Sequence, residues 1–328
     1  MTAKIGVIIH TSLATKLFND EDRDRLNQLG DVRWTESSDP LTEEDAIQLL
    51  QDCTIAVSSW ETPHPSPRIV ASCPQLKLWE HVAGTVTRFF GPHLKGSDLM
   101  IASCKTANAD SVAQMTLAQL ITGLRRIDEN AAANRRGIAA PPTTSKVMFE
   151  STVGIVGASE VGRRVIALLQ PLRARILLYD PFVDDGEARA LGVEKVDDLT
   201  QLCGHCDAVS LHTPNLPATK RLIGKDQFRA MPDDAVFVNT ARGACVDEEA
   251  LIAELEKGRL LAYLDVTDPE PAPGESPLRK LPNVVLTSHI GGMPTANMGN
   301  QAVDDITAFL RGDRPMTVIT ADMLDRIA

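Results

Sequence analysis

Thr152-Val153-Gly154-Ile155-Val156-Gly157-Ala158-Ser159-Glu160-Val161-Gly162 decides the fold. Residues 153–156 are continuously apolar apart from one glycine, the pattern of a strand buried on both faces. Gly157 permits a tight turn, and Gly162 allows a helix to pack closely on the strand. Residues 161–169 place apolar side chains at helical spacing. A strand, a glycine turn and a helix N-terminus in this order cradle a pyrophosphate, because unpaired backbone N–H groups and the helix dipole both face the anion. The middle glycine of G-x-G-x-x-G is replaced by Ser159, which is small enough to let the backbone approach. Glu160 brings a carboxylate near the anion and is expected to point to solvent. A hydrolase nucleophile elbow needs G-x-S-x-G, and Val161 stands where its last glycine belongs.

A glycine turn alone is weak evidence, so the reading depends on its surroundings. From residue 152 the chain alternates expected strands (152–156, 175–179, 208–211, 235–239, 262–264 and 284–287) with helices. Six strands is the count of a dinucleotide-binding sheet. Asp180 ends the second strand, 18 residues beyond Gly162, where a carboxylate accepts from the adenosine ribose 2′-OH. Pro181, Phe182, Val183, Asp184 and Asp185 follow. Those added acids repel a 2′-phosphate, which favours NAD(H) over NADP(H).

The first hundred residues alternate too, with strands expected at 4–10, 32–35, 55–58, 76–82 and 99–102 and helices at 42–52 and 68–72. Alternation of this kind implies a parallel sheet covered on both faces. A long helix is expected over 111–126, an irregular arm containing Pro141-Pro142 over 135–150, and a last helix over 296–310.

The 328 residues suggest about two domains, and 43% hydrophobic with 23% charged residues suffices for full-sized cores. A net charge of −11 disfavours nucleic acid or an anionic membrane as partner. One local arginine can still hold an anionic substrate, since distant charge is screened within about 8 Å. The N-terminal MTAKIGVIIH reads as a strand rather than a targeting segment, and no apolar run reaches membrane-spanning length. Six scattered cysteines in such a chain point to reduced thiols and a cytoplasmic protein. Cys203-Gly204-His205-Cys206 has redox spacing but falls where a plain helix–strand turn is needed, and no second pair completes a metal site.

Three further residues supply chemistry for a 2-oxo acid. Arg242 offers a planar fork for a carboxylate, Glu270 a carboxylate, and His289 a side chain that exchanges protons near neutrality. Hydride delivery to C2 builds negative charge on the carbonyl oxygen, which a proton donor and a cation must face. Singly, each residue has a plain reading: a turn cap, a solvated loop residue, a satisfied strand-end histidine. Their joint order is what argues for a site.

The order resembles that of the NAD-dependent D-isomer-specific 2-hydroxyacid dehydrogenase family. The resemblance rests on residues 111–114 (SVAQ), the Gly157 turn, residues 209–214 (VSLHTP), 238–243 (VNTARG), 264–271 (LDVTDPEP) and 288–292 (SHIGG). It implies that Arg242 holds the substrate carboxylate and keto oxygen, and that His289, paired with Glu270, is the general acid/base. It implies that Asp265 meets the nicotinamide side of NAD. Gly157, Ser159, Glu160, Val161, Gly162, Asp180, Pro181, His212, Thr213, Pro214, Thr240, Ala241 and Gly291 are then the remaining cofactor residues. Gly84, Thr85, Val86 and Asn108 match the loop and polar residue that meet the substrate. No metal is implied. Departures are Ser159, Gln114, Ser288 before His289, Val86, which is expected to narrow the substrate pocket, and Lys105, read as a solvated side chain.

The expected fold is α/β, two Rossmann-like doubly wound parallel-sheet domains. The substrate domain is discontinuous (1–104 and 291–328), with the NAD-binding domain (105–290) inserted and the site in the cleft. The expected assembly is a homodimer with the 135–150 arm as a contact. No appended regulatory domain is expected after 296–310. The expected partner is a small 2-oxo or 2-hydroxy acid, with neither nucleic acid nor membrane. A second reading on the same fold is an NAD(H)-sensing, co-repressor-like binding protein.

Overall fold

The computed structural model describes residues 2–89, 97–138, 144–320 and 323. In chain order its elements are β1 (Ala3–Val7), α1 (Thr11–Leu17), α2 (Asp20–Leu29), β2 (Gly30–Trp34), α3 (Glu43–Leu50), β3 (Ile55–Ser58), α4 (Pro67–Ser72), β4 (Leu78–His81), β5 (Met100–Ser103), α5 (Lys105–Leu124) and α6 (Ile127–Arg135). There follow β6 (Thr152–Val156), α7 (Glu160–Leu169), β7 (Arg175–Tyr179), α8 (Asp185–Leu191), β8 (Glu194–Lys195), α9 (Leu199–His205), β9 (Ala208–Leu211), α10 (Lys225–Ala230), β10 (Val236–Asn239), α11 (Glu248–Leu255), β11 (Leu261–Leu264), β12 (Val284–Leu286), α12 (Ala296–Leu310) and β13 (Val318–Ile319).

The chain divides into two compact units, Met1–Ala109 with Gly292–Ala328, and Asp110–Gly291. The boundaries at 109/110 and 291/292 lie later than the expected 104/105 and 290/291, the second by a single residue. The Pro141-Pro142 part of the expected arm lies outside the described residues. Helix α6 leads up to the arm and ends at its first residue, and a 3-10 turn at Met148–Glu150 closes it; the sequence pattern predicts neither.

The first unit holds a sheet of order β13-β5-β4-β3-β1-β2, parallel except for β13. Alternation along β1 sends Ile5 and Val7 to one core with Leu17, Phe18, Met298 and Ile306. The opposite core holds Ile8, Leu50, Trp79 and Ile101. Each such fully buried side chain contributes about 1.5–3 kcal/mol relative to exposure. The β13 edge strand comes from the tail, where no strand is expected from sequence. Asp305 of α12 accepts hydrogen bonds from the Met316 N–H (2.9 Å) and the Thr317 hydroxyl and so delivers the tail to β5.

The second unit holds a parallel sheet of order β12-β11-β10-β9-β6-β7-β8, seven strands among the described residues rather than the expected six. The addition, β8, is two residues long and pairs with β7. Val153, Ile155, Val238 and Tyr263 fill the core on one face. Val156, Leu211, Phe237 and Leu264 fill the other, which is why these strands read as unbroken apolar runs. The chain builds outward from β6 to β8, then returns at β9 to β6's other side. That reversal leaves a crevice beyond the carboxyl ends of β6 and β9.

Register sets what meets there. Val156 pairs with Tyr179 and Leu211, Asn239 with Leu211 and Leu264, and Leu264 with Leu286. The segments that begin at Gly157, Asp180, His212, Thr240, Asp265 and Thr287 therefore all leave the same edge of one sheet.

Candidate active site

Gly157 adopts φ +98°, and a Cβ there would lie 3.0 Å from Thr213 Cγ2 and 3.1 Å from the His212 carbonyl. A Cβ on Gly162 would lie 2.1 Å from the Gly157 carbonyl oxygen, so α7 rests directly on the turn. Ser159 sits at φ −66°, which any residue can adopt. Its hydroxyl caps α7 by accepting the Gly162 N–H at 3.3 Å. Serine at the middle position thus replaces conformational freedom that this backbone does not use. Glu160 is exposed and pairs with Arg164 one turn on, at 2.8 Å. Val161 and Pro181 lie beside these residues, in the first turn of α7 and just after Asp180.

Asp180 accepts the Ala158 N–H at 2.7 Å on one oxygen and the Phe182 N–H at 2.8 Å on the other. Each carboxylate oxygen keeps a second lone pair. The carboxylate is therefore held against the glycine turn while still able to accept from a diol. His212 is buried, with Nε2 bonded to the Ser210 hydroxyl at 2.9 Å. Burial pushes its pKa down to about 3, so it is neutral. Its Nδ1 and the Thr213 hydroxyl are buried without a hydrogen-bond partner among the described residues. Orphaned polar atoms beside a cradle that a Cβ would fill fit a bound dinucleotide, which can supply the missing partners. Pro214 lends its carbonyl to the Thr219 hydroxyl at 2.5 Å and to the Cys245 thiol at 3.4 Å, so it shapes the loop from inside.

The turn after β10 carries Arg242. Asn239 closes it with its own side chain: Oδ1 accepts the Ala241 N–H, and Nδ2 donates to the Arg242 carbonyl, both at 3.0 Å. Asparagine at a strand end is a known turn former, a signal present in the sequence but not assigned a role there. A guanidinium N–H of Arg242 donates to the Ala241 carbonyl at 2.6 Å. Burial lowers the arginine's pKa, and the neighbouring Glu270 charge opposes that shift. Gly243 is obligatory for packing, since a Cβ would lie 2.1 Å from the carbonyl carbon and oxygen of Thr267. Gly243→Ala is expected to lower stability by about 1–3 kcal/mol, the usual scale of overpacking, and to lower turnover with it. Urea unfolding measures the first; a variant that unfolds with the wild type would mean that residues 267–268 withdraw at little cost.

His289 stands at φ +54° with Nδ1 2.6 Å from Glu270 Oε1, and both side chains are partly exposed. They lie on the wall of a cleft of about 770 Å³ floored by Leu278, Val284 and Leu286. Asp265 is buried beneath this turn. Its carboxylate accepts from the Thr287 hydroxyl (2.6 Å), the Ile290 N–H (2.9 Å) and the Gly291 N–H (2.8 Å), while its carbonyl accepts the His289 N–H at 2.8 Å. The role visible for Asp265 is thus to hold the His289 turn, a task that the sequence reading did not foresee.

In the first unit, Asn108 lies in α5 and is wedged between two glycines. A Cβ on Gly84 or on Gly292 would lie 2.7 Å from its side-chain amide. Asn108 Oδ1 is buried without a partner among the described residues. Thr85 follows in the same loop, and the Gly84 carbonyl accepts the Ser103 hydroxyl at 3.3 Å. Val86, expected to narrow the substrate pocket, is 1% exposed and packs in the core with Trp79 and Phe89. Cys203 lies inside α9 and Cys206 is its C-cap. Burial pushes the Cys203 thiol up to about 12 and raises Cys206 as well. Buried thiols held protonated are poor redox nucleophiles, and Cys206 packs instead against Gly154.

Residues 117–291, more than half of the chain, match the model of the D-isomer specific 2-hydroxyacid dehydrogenase, NAD binding domain. The chain belongs to that family. Its second unit is the NAD-binding domain, and NAD is its cofactor. The protein is 28% identical over 301 residues to a D-3-phosphoglycerate dehydrogenase of Methanocaldococcus jannaschii, covering 90% of this chain and 57% of that one. It is 29% identical over 300 residues to a glyoxylate reductase of Korarchaeum cryptofilum, covering 89% and 90% of the two chains. This family member thus spans little more than half the length of the first relative and nearly all of the second. Rhodotorula graminis D-mandelate dehydrogenase shares the fold, with a TM-score of 0.81 over 98% of each chain at 22% identity.

Proposed function

We propose that this family member transfers hydride between NAD(H) and a small 2-oxo or D-2-hydroxy acid. The observation that carries the reading is the 2.6 Å His289–Glu270 contact, with the half-buried Arg242 near enough to feel the Glu270 charge. When bound, reduced nicotinamide supplies hydride to C2 of the oxo acid. His289 uses Nδ1 on Glu270, which leaves Nε2 to give its proton to the carbonyl oxygen. Glu270 fixes the ring orientation and offsets the positive charge of the imidazolium. Arg242 grips the carboxylate and the oxygen on which charge develops, where a preorganised donor stabilises the transition state more than the ground state. The same reading gives Gly84, Thr85 and Asn108 to the carboxylate end of the substrate.

NADH oxidation against glyoxylate, hydroxypyruvate, pyruvate and phenylpyruvate tests the proposal. Turnover of at least one acid is expected. Intact NADH binding with no turnover of any acid would leave the NAD(H)-sensing binding protein instead.

NADH should be preferred to NADPH, and Asp180→Ala should weaken NADH use while relaxing that preference. Asp180 is anchored at the glycine turn, and Asp184 and Asp185 add to the negative field. Equal kcat/KM for the two cofactors in the unaltered protein would refute this.

A homodimer fits the exposed Ile127, Ile138 and Phe149 of the second unit. A cleft of about 250 Å³ lined by Ile121, Leu124, Met148 and Phe149 lies on the same unit. A cytoplasmic setting fits six free, buried cysteines. Among the described residues, no helix is long and apolar enough to cross a membrane.

A further inference from the structure

Two side chains of α5 touch both catalytic turns, and neither has a part in the chemistry above. The Ser111 hydroxyl donates to the Gly291 carbonyl at 2.9 Å, two residues from His289. Thr116 is fully buried, and its hydroxyl lies 2.9 Å from the Val112 carbonyl and 2.8 Å from the Thr240 hydroxyl, two residues from Arg242. Hydrogen counting settles the direction. Thr116 has one proton, which goes to the Val112 carbonyl; Thr240 therefore donates to Thr116. Ser111 and Met115, and Val112 and Thr116, are one helical turn apart, so they form a single stripe on α5. That stripe also closes on Gly291, where a Cβ would lie 3.6 Å from Met115 Sδ and 3.7 Å from Val112 Cγ1.

The two turns leave strands that are not neighbours. β10 ends at Arg242's turn and β12 at His289's turn, with β11 between them. Asp265 at the end of β11 holds the His289 turn with its carboxylate, and its N–H donates to the Asn239 carbonyl at 3.0 Å. The Arg242 turn is closed by the Asn239 side chain from its own strand. To these strand-end bonds α5 adds side-chain hydroxyls that reach both turns.

We infer that Ser111 and Thr116 are positioning residues, which use α5 as a splint to keep His289 and Arg242 in register. The inference rests on the catalytic reading of those two residues. A proton donor and an anion clamp act on the same substrate oxygen, and a displacement of about 1 Å between reacting groups costs on the order of 100-fold in rate. Thr116 accepts from the largely buried Thr240 hydroxyl, so Thr116→Val removes that acceptor and leaves the Thr240 O–H without it.

The test uses Ser111→Ala, Thr116→Val and Thr116→Ser, with the fastest acid of the panel above. Ser111→Ala and Thr116→Val should each lower kcat by about tenfold with KM for NADH within twofold, as smaller displacements than a full ångström. Thr116→Ser, which keeps the hydroxyl, should restore most of the kcat lost in Thr116→Val. Ser111→Ala placed on His289→Asn should add little further loss, because a positioning effect vanishes with the group positioned. A lower unfolding midpoint with unchanged kcat would overturn the inference, as would a Ser111→Ala loss that persists in full on His289→Asn. The catalytic reading fails separately, if His289→Asn and Arg242→Lys alone leave kcat unaltered.

Discussion

His289→Asn should cut turnover by about 100-fold or more while NADH binding stays nearly intact, the usual scale of a general acid's contribution. Asparagine is the informative substitution here. His289 adopts φ +54°, a left-handed conformation that asparagine tolerates better than most residues, so the turn should survive. The backbone bonds from residues 289–291 to Asp265 do not involve the imidazole and should persist. What is lost is the proton at Nε2 and the ring that Glu270 orients. Stopped-flow turnover with NADH fluorescence titration separates the two quantities. Near-normal turnover would remove His289 from the proton-donor role.

Arg242→Lys should raise KM for the oxo acid and lower kcat together, with kcat/KM down by about 100-fold, the scale of losing one preorganised donor to a developing oxyanion. Lysine keeps a charge but loses the fork that matches a carboxylate. The site adds a second penalty. Burial already lowers the pKa of the arginine, and the same burial disfavours the charge of a more strongly hydrated ammonium. The substitution should leave the turn intact, because Asn239 holds it through the backbone of residues 241 and 242. NADH affinity should change little. Unaltered kinetics would mean that Arg242 has a structural part, such as its bond to the Ala241 carbonyl, and that another group holds the substrate.

Much of the site was legible because its signals are local. Gly157, Gly162 and Asp180 lie within one strand–turn–helix–strand unit, where spacing along the chain translates directly into position. Tertiary context then added to three readings. Ser159 looked like a compromise for a missing glycine, but its backbone is ordinary and its hydroxyl caps α7. Val86 looked like a pocket residue but lies in the core. Asp265 was given to the nicotinamide, while its visible partners are Thr287, Ile290 and Gly291.

By itself the sequence determined that two α/β sheets form, where the glycine turn sits, and which residue types could handle a 2-oxo acid. Apolar periodicity and chain-local turns carry that information, since a strand's burial and a turn's φ are consequences of a few adjacent residues. Only the tertiary structure decided how distant segments support one another. The tail became strand β13 because Asp305 holds residues 316 and 317. Gly243 became indispensable because residues 267–268 press on it. Ser111 and Thr116 acquired a role because α5 packs against turns more than a hundred residues away in the chain. Such contacts leave no periodic mark, because a serine or threonine on a helix reads the same whether its hydroxyl meets water or a catalytic turn.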